Sequence, residues 1–147
     1  MALYKTKDYG FDAPLTVQHQ GTPVVQRLVV GFATAVALAA NDVILIGKLP
    51  ADYVLENVRI DLDQTVPNAV VEVGILNDGE TAVDHSVITA GSLDASGFVD
   101  GNSAEAVREG RFDKPKTIGL VVTTGGNITA GTEIGFTVTY RNAAASE

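Results

Sequence analysis

A chain of 147 residues with 46% apolar and 19% charged side chains has material for one packed core and little room for a second independent domain. The absence of cysteine excludes disulfides, thiolate zinc sites and cysteine nucleophiles. Ten Lys plus Arg against eighteen Asp plus Glu give a formal charge of −8, which repels phosphate backbones and argues against nucleic-acid binding while favouring solubility.

Residues 1–23 interleave Tyr4, Tyr9 and Phe11 with Lys5, Lys7, Asp8 and Asp12 and follow neither a helical nor a strand period, which predicts an extended N-terminal arm. The same stretch lacks the apolar run of a signal peptide, and no run in the chain approaches the roughly 20 apolar residues of a membrane-spanning helix. Pro14, Gly21 and Pro23 punctuate the approach to the first strand, Val24 to Phe32. The alanine-rich stretch Ala33 to Ala40 admits a helical turn, although Asn41 and Asp42 read as the corner before a strand at Val43 to Leu49, which Pro50 ends.

From Tyr53 to Leu62 the chain alternates, with Val58, Ile60 and Leu62 on one face and Asn57, Arg59 and Asp61 on the other. Ala69 to Leu76 is the next strand, with Val71, Val73 and Ile75 inward, and Asn77, Asp78 and Gly79 form a turn in which glycine accepts positive φ. Ala82 to Thr89 is a weaker strand. Ala90 to Gly110 is small and polar, predicting a long loop with one short helix or edge strand around Ala104 to Glu109. Lys116 to Thr124 and Thr132 to Arg141 close the chain, joined by a hairpin at Gly125 to Gly131 and followed by a tail over 142–147.

Six to eight strands without a long amphipathic helix predict an all-β fold, an antiparallel two-sheet sandwich of jelly-roll type over 24–141. No fixed period repeats, which excludes propellers and solenoids.

Few residues offer chemistry. Asp84, His85 and Ser86 supply the residue types of a hydrolase triad, but neighbours on a strand point to opposite faces and do not form a relay. His19 and His85 are the only imidazoles and lie far apart, so no zinc site is expected. Asp94, Asp100 and Glu105 are oxygen donors in a flexible composition, but Ser96 and Phe98 break the EF-hand pattern. Asp61 and Asp63, with Glu72 across from them, invite a glycosidase reading, against which stands the lack of Trp platforms. Gly125 and Gly126 precede neither a helix nor a lysine at phosphate-loop spacing. No enzyme activity, cofactor or metal is expected.

Ala39 to Pro50 together with Tyr53 to Asp61, then Val73, Gly74, Ile75 and Leu76, and finally Ile118, Gly119, Leu120 and Val121 followed by Gly131 to Tyr140, resembles the small head decoration, or cement, proteins of tailed bacteriophages. The likeness spans roughly residues 24–141. It implies a jelly-roll-like sandwich, often trimeric, that folds in the host cytoplasm, sits on the outer capsid surface and clamps neighbouring major capsid proteins. The major capsid protein and further copies of the chain are then the expected partners, with no nucleic acid, membrane or small-molecule substrate. Tyr4, Lys5, Lys7, Tyr9 and Phe11 are the expected partner-binding residues, since aromatic side chains carry much of the energy of interfaces. The competing readings are a tail or fibre component that recognises a host surface and a carbohydrate-binding sandwich.

Overall fold

The computed structural model describes residues 2–6 and 23–143. Its elements in chain order are β1 (Leu3–Lys5), β2 (Pro23–Phe32), β3 (Val36–Leu38), β4 (Val43–Leu49), β5 (Tyr53–Leu62), β6 (Val70–Leu76), β7 (Val83–Ser92), β8 (Gly97–Val99), α1 (Glu105–Glu109), β9 (Lys116–Thr124), β10 (Gly126–Ile128) and β11 (Thr132–Asn142). One sheet has the order β1-β4-β9-β6-β7, a second the order β2-β11-β5-β8, and β3 pairs with β10 separately.

Eight of these strands divide four and four between the two larger sheets. Successive strands change sheet at every step except the hairpin from β6 to β7, and the last strand, β11, returns to lie beside β2. That arrangement is a jelly roll, as the strand pattern predicts. All pairings between described strands are antiparallel except β1 on β4.

The alternation in β11 builds the centre of the core. Ile134, Phe136, Val138 and Tyr140 are fully buried, while Glu133 and Thr137 face away. Two irregularities let other strands change phase and still feed this core. In β5 the register against β11 shifts opposite Thr139 and Tyr140, so that Tyr53 and Leu55 join Val58, Ile60 and Leu62 on the inner side. In β4 the shift between Leu45 and Gly47 brings Leu49 to the side of Ile44 and Ile46. The remaining members of that apolar run, Val43 and Leu45, pack with Leu76 in a second small cluster, so β4 is apolar on both faces.

Several boundaries differ from the sequence reading. Ala33 to Ala40 holds a short strand, β3, in place of a helical turn. The turn after β6 is a turn, but the positive φ falls on Glu80 (57°) and not on Gly79, because the Asn77 side chain accepts the Thr81 N–H (2.8 Å) and fixes the corner. Ala90 to Gly110 carries the expected short helix, α1, which packs against β5 and β7 with Ala106 buried, but the rest is not one loop: β7 runs to Ser92, and β8 adds an edge strand beside β5. Gly125 to Gly131 is no hairpin, since β9 and β11 lie in opposite sheets; the segment crosses between them and pairs with β3 on the way. The folded body also extends past Arg141: Asn142 pairs with Tyr53, and Ala143 is buried with its N–H on the Asp52 carbonyl at 2.9 Å. Residues 2–6 of the expected arm are part of the sheet through β1.

Glycine is required where β6 and β7 meet. A Cβ on Gly74 would run into the backbone carbonyl of His85, which has no side-chain freedom to yield, whereas a Cβ on Gly79 meets only the Thr81 side chain at 3.8 Å. Gly74→Ala is expected to destabilise the fold by about 1–3 kcal/mol in urea unfolding. Gly79→Ala, in the next turn, is expected to stay within about 0.5 kcal/mol of the parent.

Candidate functional site

A group of ionisable and hydroxyl side chains lies where α1 rests on β7. Ser86 pairs across the sheet with Gly74 and His85 with Ile75, so the two neighbours diverge as a strand requires. The Glu105 carboxylate nevertheless reaches both, because α1 lies alongside the strand. Its Oε2 accepts from Ser86 Oγ at 3.3 Å, and its Oε1 stands 3.8 Å from His85 Nδ1. Glu109, one turn on, stands 3.9 Å from the same nitrogen. Ser103 completes the group, with its Oγ 3.0 Å from Ser86 Oγ, and the Phe112 ring lies 5.5 Å from the imidazole.

This group is a clasp between helix and strand. A nucleophilic serine needs a base and a path for substrate, whereas Ser86 is 2% exposed and bonded to a second hydroxyl and a carboxylate. Nearby Glu72, on β6, has its carboxyl raised above the ordinary glutamate range, first by burial and then by the charge of Glu105. That position sets Glu72 apart from the carboxylate it could have faced: Glu72 belongs to the sheet of β4 and β9, while Asp61 lies on β5 in the other sheet, in keeping with the reading against a glycosidase.

Asp61 is instead engaged by Arg27. The guanidinium donates twice, Nε to Oδ2 at 3.0 Å and Nη2 to Oδ1 at 2.6 Å. The pair spans the central strand over Gly135, where any Cβ would collide with both partners. On the same sheet Arg59 donates to Asp100 at 2.6 Å and lies 4.8 Å above the Phe98 ring, which is 68% exposed. Asp94 accepts the Asn68 N–H at 3.4 Å. The acidic trio Asp94, Asp100 and Glu105 therefore goes to three separate partners, and the described residues hold no group of three ligands suited to a metal ion.

Of the expected partner-binding residues, Tyr4 and Lys5 lie in β1. The Tyr4 ring packs edge-on against Phe32 with centroids 5.4 Å apart, and its hydroxyl pKa is raised by burial and by Asp42. Lys5 pairs with Leu45 and is exposed. Lys7, Tyr9 and Phe11, and likewise His19, lie outside the described residues. A depression of about 540 Å³ beside the β3–β10 pair is lined by Leu38, Pro67, Asn68 and 125–127 with Thr129, none of them titratable. The sequence reading missed the Arg27–Asp61 pair, whose only sequence signal is a glycine in the middle of an otherwise regular strand.

The described residues thus define a jelly-roll sandwich with exposed ion-paired faces and no assembled catalytic relay. No protein-family model matches the chain, and no curated protein matches it. Among solved structures, a chain in the capsid of Ralstonia phage GP4 superposes with a TM-score of 0.75 at 23% identity, over 96% of this chain and 98% of that one. A chain in the capsid asymmetric unit of cyanophage Pam1 gives 0.59 at 16% identity, over 88% and 91% respectively. At these identities the likeness establishes a shared fold.

A carboxyl with a raised native pKa contributes stability below its unfolded value and loses it as pH rises through the native one. Glu72→Gln is therefore expected to raise the melting temperature at pH 7, because burial and the charge of Glu105 disfavour the ionised carboxyl. The gain should vanish below about pH 4, where the parent carboxyl is neutral. Thermal melts at the two pH values check this.

Proposed function

We propose that this protein is a non-enzymatic structural component of a phage virion, a decoration protein that binds the outer surface of the head and stabilises it across boundaries between major capsid proteins, as a homotrimer. The observation that carries this reading is the end-to-end match to a chain in the GP4 capsid, which covers 96% of this chain and 98% of that one. A chain that small, with no assembled catalytic relay among its described residues, works by what its surfaces contact.

Two features support this reading. A charge of −8 disfavours contact with packaged DNA. Phe98, Val25 and Leu3 are large apolar side chains left at least half exposed, and Phe98 is held in place by Arg59. In this reading Lys5, Lys7, Tyr9 and Phe11 contact a partner, while Tyr4 anchors the segment to a sandwich. Binding to the assembled shell and not to free subunits stabilises the shell by mass action, repeated over many sites.

Co-sedimentation with heads that lack this protein tests the proposal. Saturable binding with a rise in the temperature at which the heads come apart is the expected result. Protein that stays in the supernatant at every concentration overturns the decoration role, and selective binding on a glycan array would then point to surface recognition.

A further inference from the structure

Strand β1 is the one described strand that adds to its sheet in parallel, and it does so at an edge. Its hold on β4 is dense for so short a segment. Leu3, Tyr4 and Lys5 pair with Val43, Ile44 and Leu45. The Ala2 N–H donates to Asp42 Oδ1 at 2.8 Å, and the Ala2 carbonyl accepts the Val43 N–H at 2.9 Å. Thr6, 3% exposed, donates from its backbone to the Leu45 carbonyl at 3.0 Å and from its hydroxyl to the Ile46 carbonyl at 2.7 Å. Tyr4 meets Phe32 of the opposite sheet.

Without β1, strand β4 would be an edge strand with a row of unpaired backbone groups and apolar side chains on both faces, a surface that demands a strand. Nothing in these contacts requires that the strand come from the same chain. Residues 7–22 separate Thr6 from Pro23. At about 3.3–3.6 Å per residue that length extends to roughly 55 Å, more than the roughly 30–40 Å breadth of a domain this size. The eight-strand sandwich closes without β1, so passing β1 to a neighbour breaks no other described pairing.

We infer that the β4 edge is a strand-acceptor site whose occupant in the assembled protein is residues 2–6 of a second copy, so that copies are joined head to tail by exchange of β1. Exchange keeps every contact of the single chain, which makes it a low-cost route to a closed oligomer. The inference rests on the homo-oligomer in the proposed function but not on capsid binding.

Because the chain has no cysteine, the double variant Leu3→Cys/Val43→Cys reports the donor directly, residues 3 and 43 being paired across β1 and β4. After mild oxidation of the purified full-length protein, exchange gives disulfide-linked multimers on denaturing gels that collapse on reduction. Bonds found solely within single chains overturn the inference. Tyr4→Ala in the otherwise unmodified chain is the second test, should the cysteines disturb folding. Exchange predicts that it shifts the oligomer toward monomer at equal concentration in light scattering, and an unchanged mass with lowered melting temperature refutes it. Capsid co-sedimentation reads out separately, so failure of exchange and failure of the decoration role are distinguishable.

Discussion

Two sheets exclude water from each other only where neighbouring strands send side chains to the same side in step, and β11 sets that step for the whole sandwich. It pairs with β2 along one edge and with β5 along the other, and its inward side chains, Ile134, Phe136, Val138 and Tyr140, are fully buried. Fully burying an aliphatic or aromatic side chain is worth about 1.5–3 kcal/mol, so this row alone outweighs the Arg27–Asp61 and Arg59–Asp100 pairs together. Tyr140 brings a hydroxyl into the core, where burial, with Tyr53 adding to it, pushes its pKa up to about 12. The hydroxyl lies 3.2 Å from Gln26 Oε1, which satisfies it as donor.

The outer faces follow different rules. Arg27–Asp61 and Arg59–Asp100 sit in solvent, where such pairs typically contribute at most about 1 kcal/mol each. Their main effect is on shape. With no Cβ on Gly135, the Arg27 guanidinium lies down across the strand and reaches Asp61 in a bidentate fork. Arg59 similarly braces the exposed Phe98 ring, which lowers the entropy that ring would lose on meeting a partner.

Much of this fold is legible in the sequence where one face is apolar and the other polar. Val58 to Leu62 and Ile134 to Tyr140 declare their inward faces by strict alternation, and both stand as read. The reading fails where a bulge or a second covered face removes the alternation. Val43 to Ile46 is a continuous apolar run whose two destinations, the main core and the Leu76 cluster, no period reveals. It fails again where pairing is distant: nothing local in Gly126 to Ile128 announces β3 as its partner, and nothing local in Leu3 to Lys5 announces β4. At the candidate site, the opposed directions of His85 and Ser86 were readable from strand geometry. Their common partner, Glu105, was not, because it arrives from a helix whose place against β7 is set by tertiary packing.

The return of the last strand to the side of β2 has a consequence for how the protein is made. Ribosomes deliver β2 early and β11 last, yet β2 and β5 are joined in their sheet only through β11. Until β11 has been made, the apolar rows of β2 and β5 therefore lack the strand that joins them. Folding in one late step of this kind is slow, as long-range β topologies are, but it also acts as a length check. A chain that ends before β11 lacks the strand that would make it compact, and so never presents the finished surfaces of the sandwich.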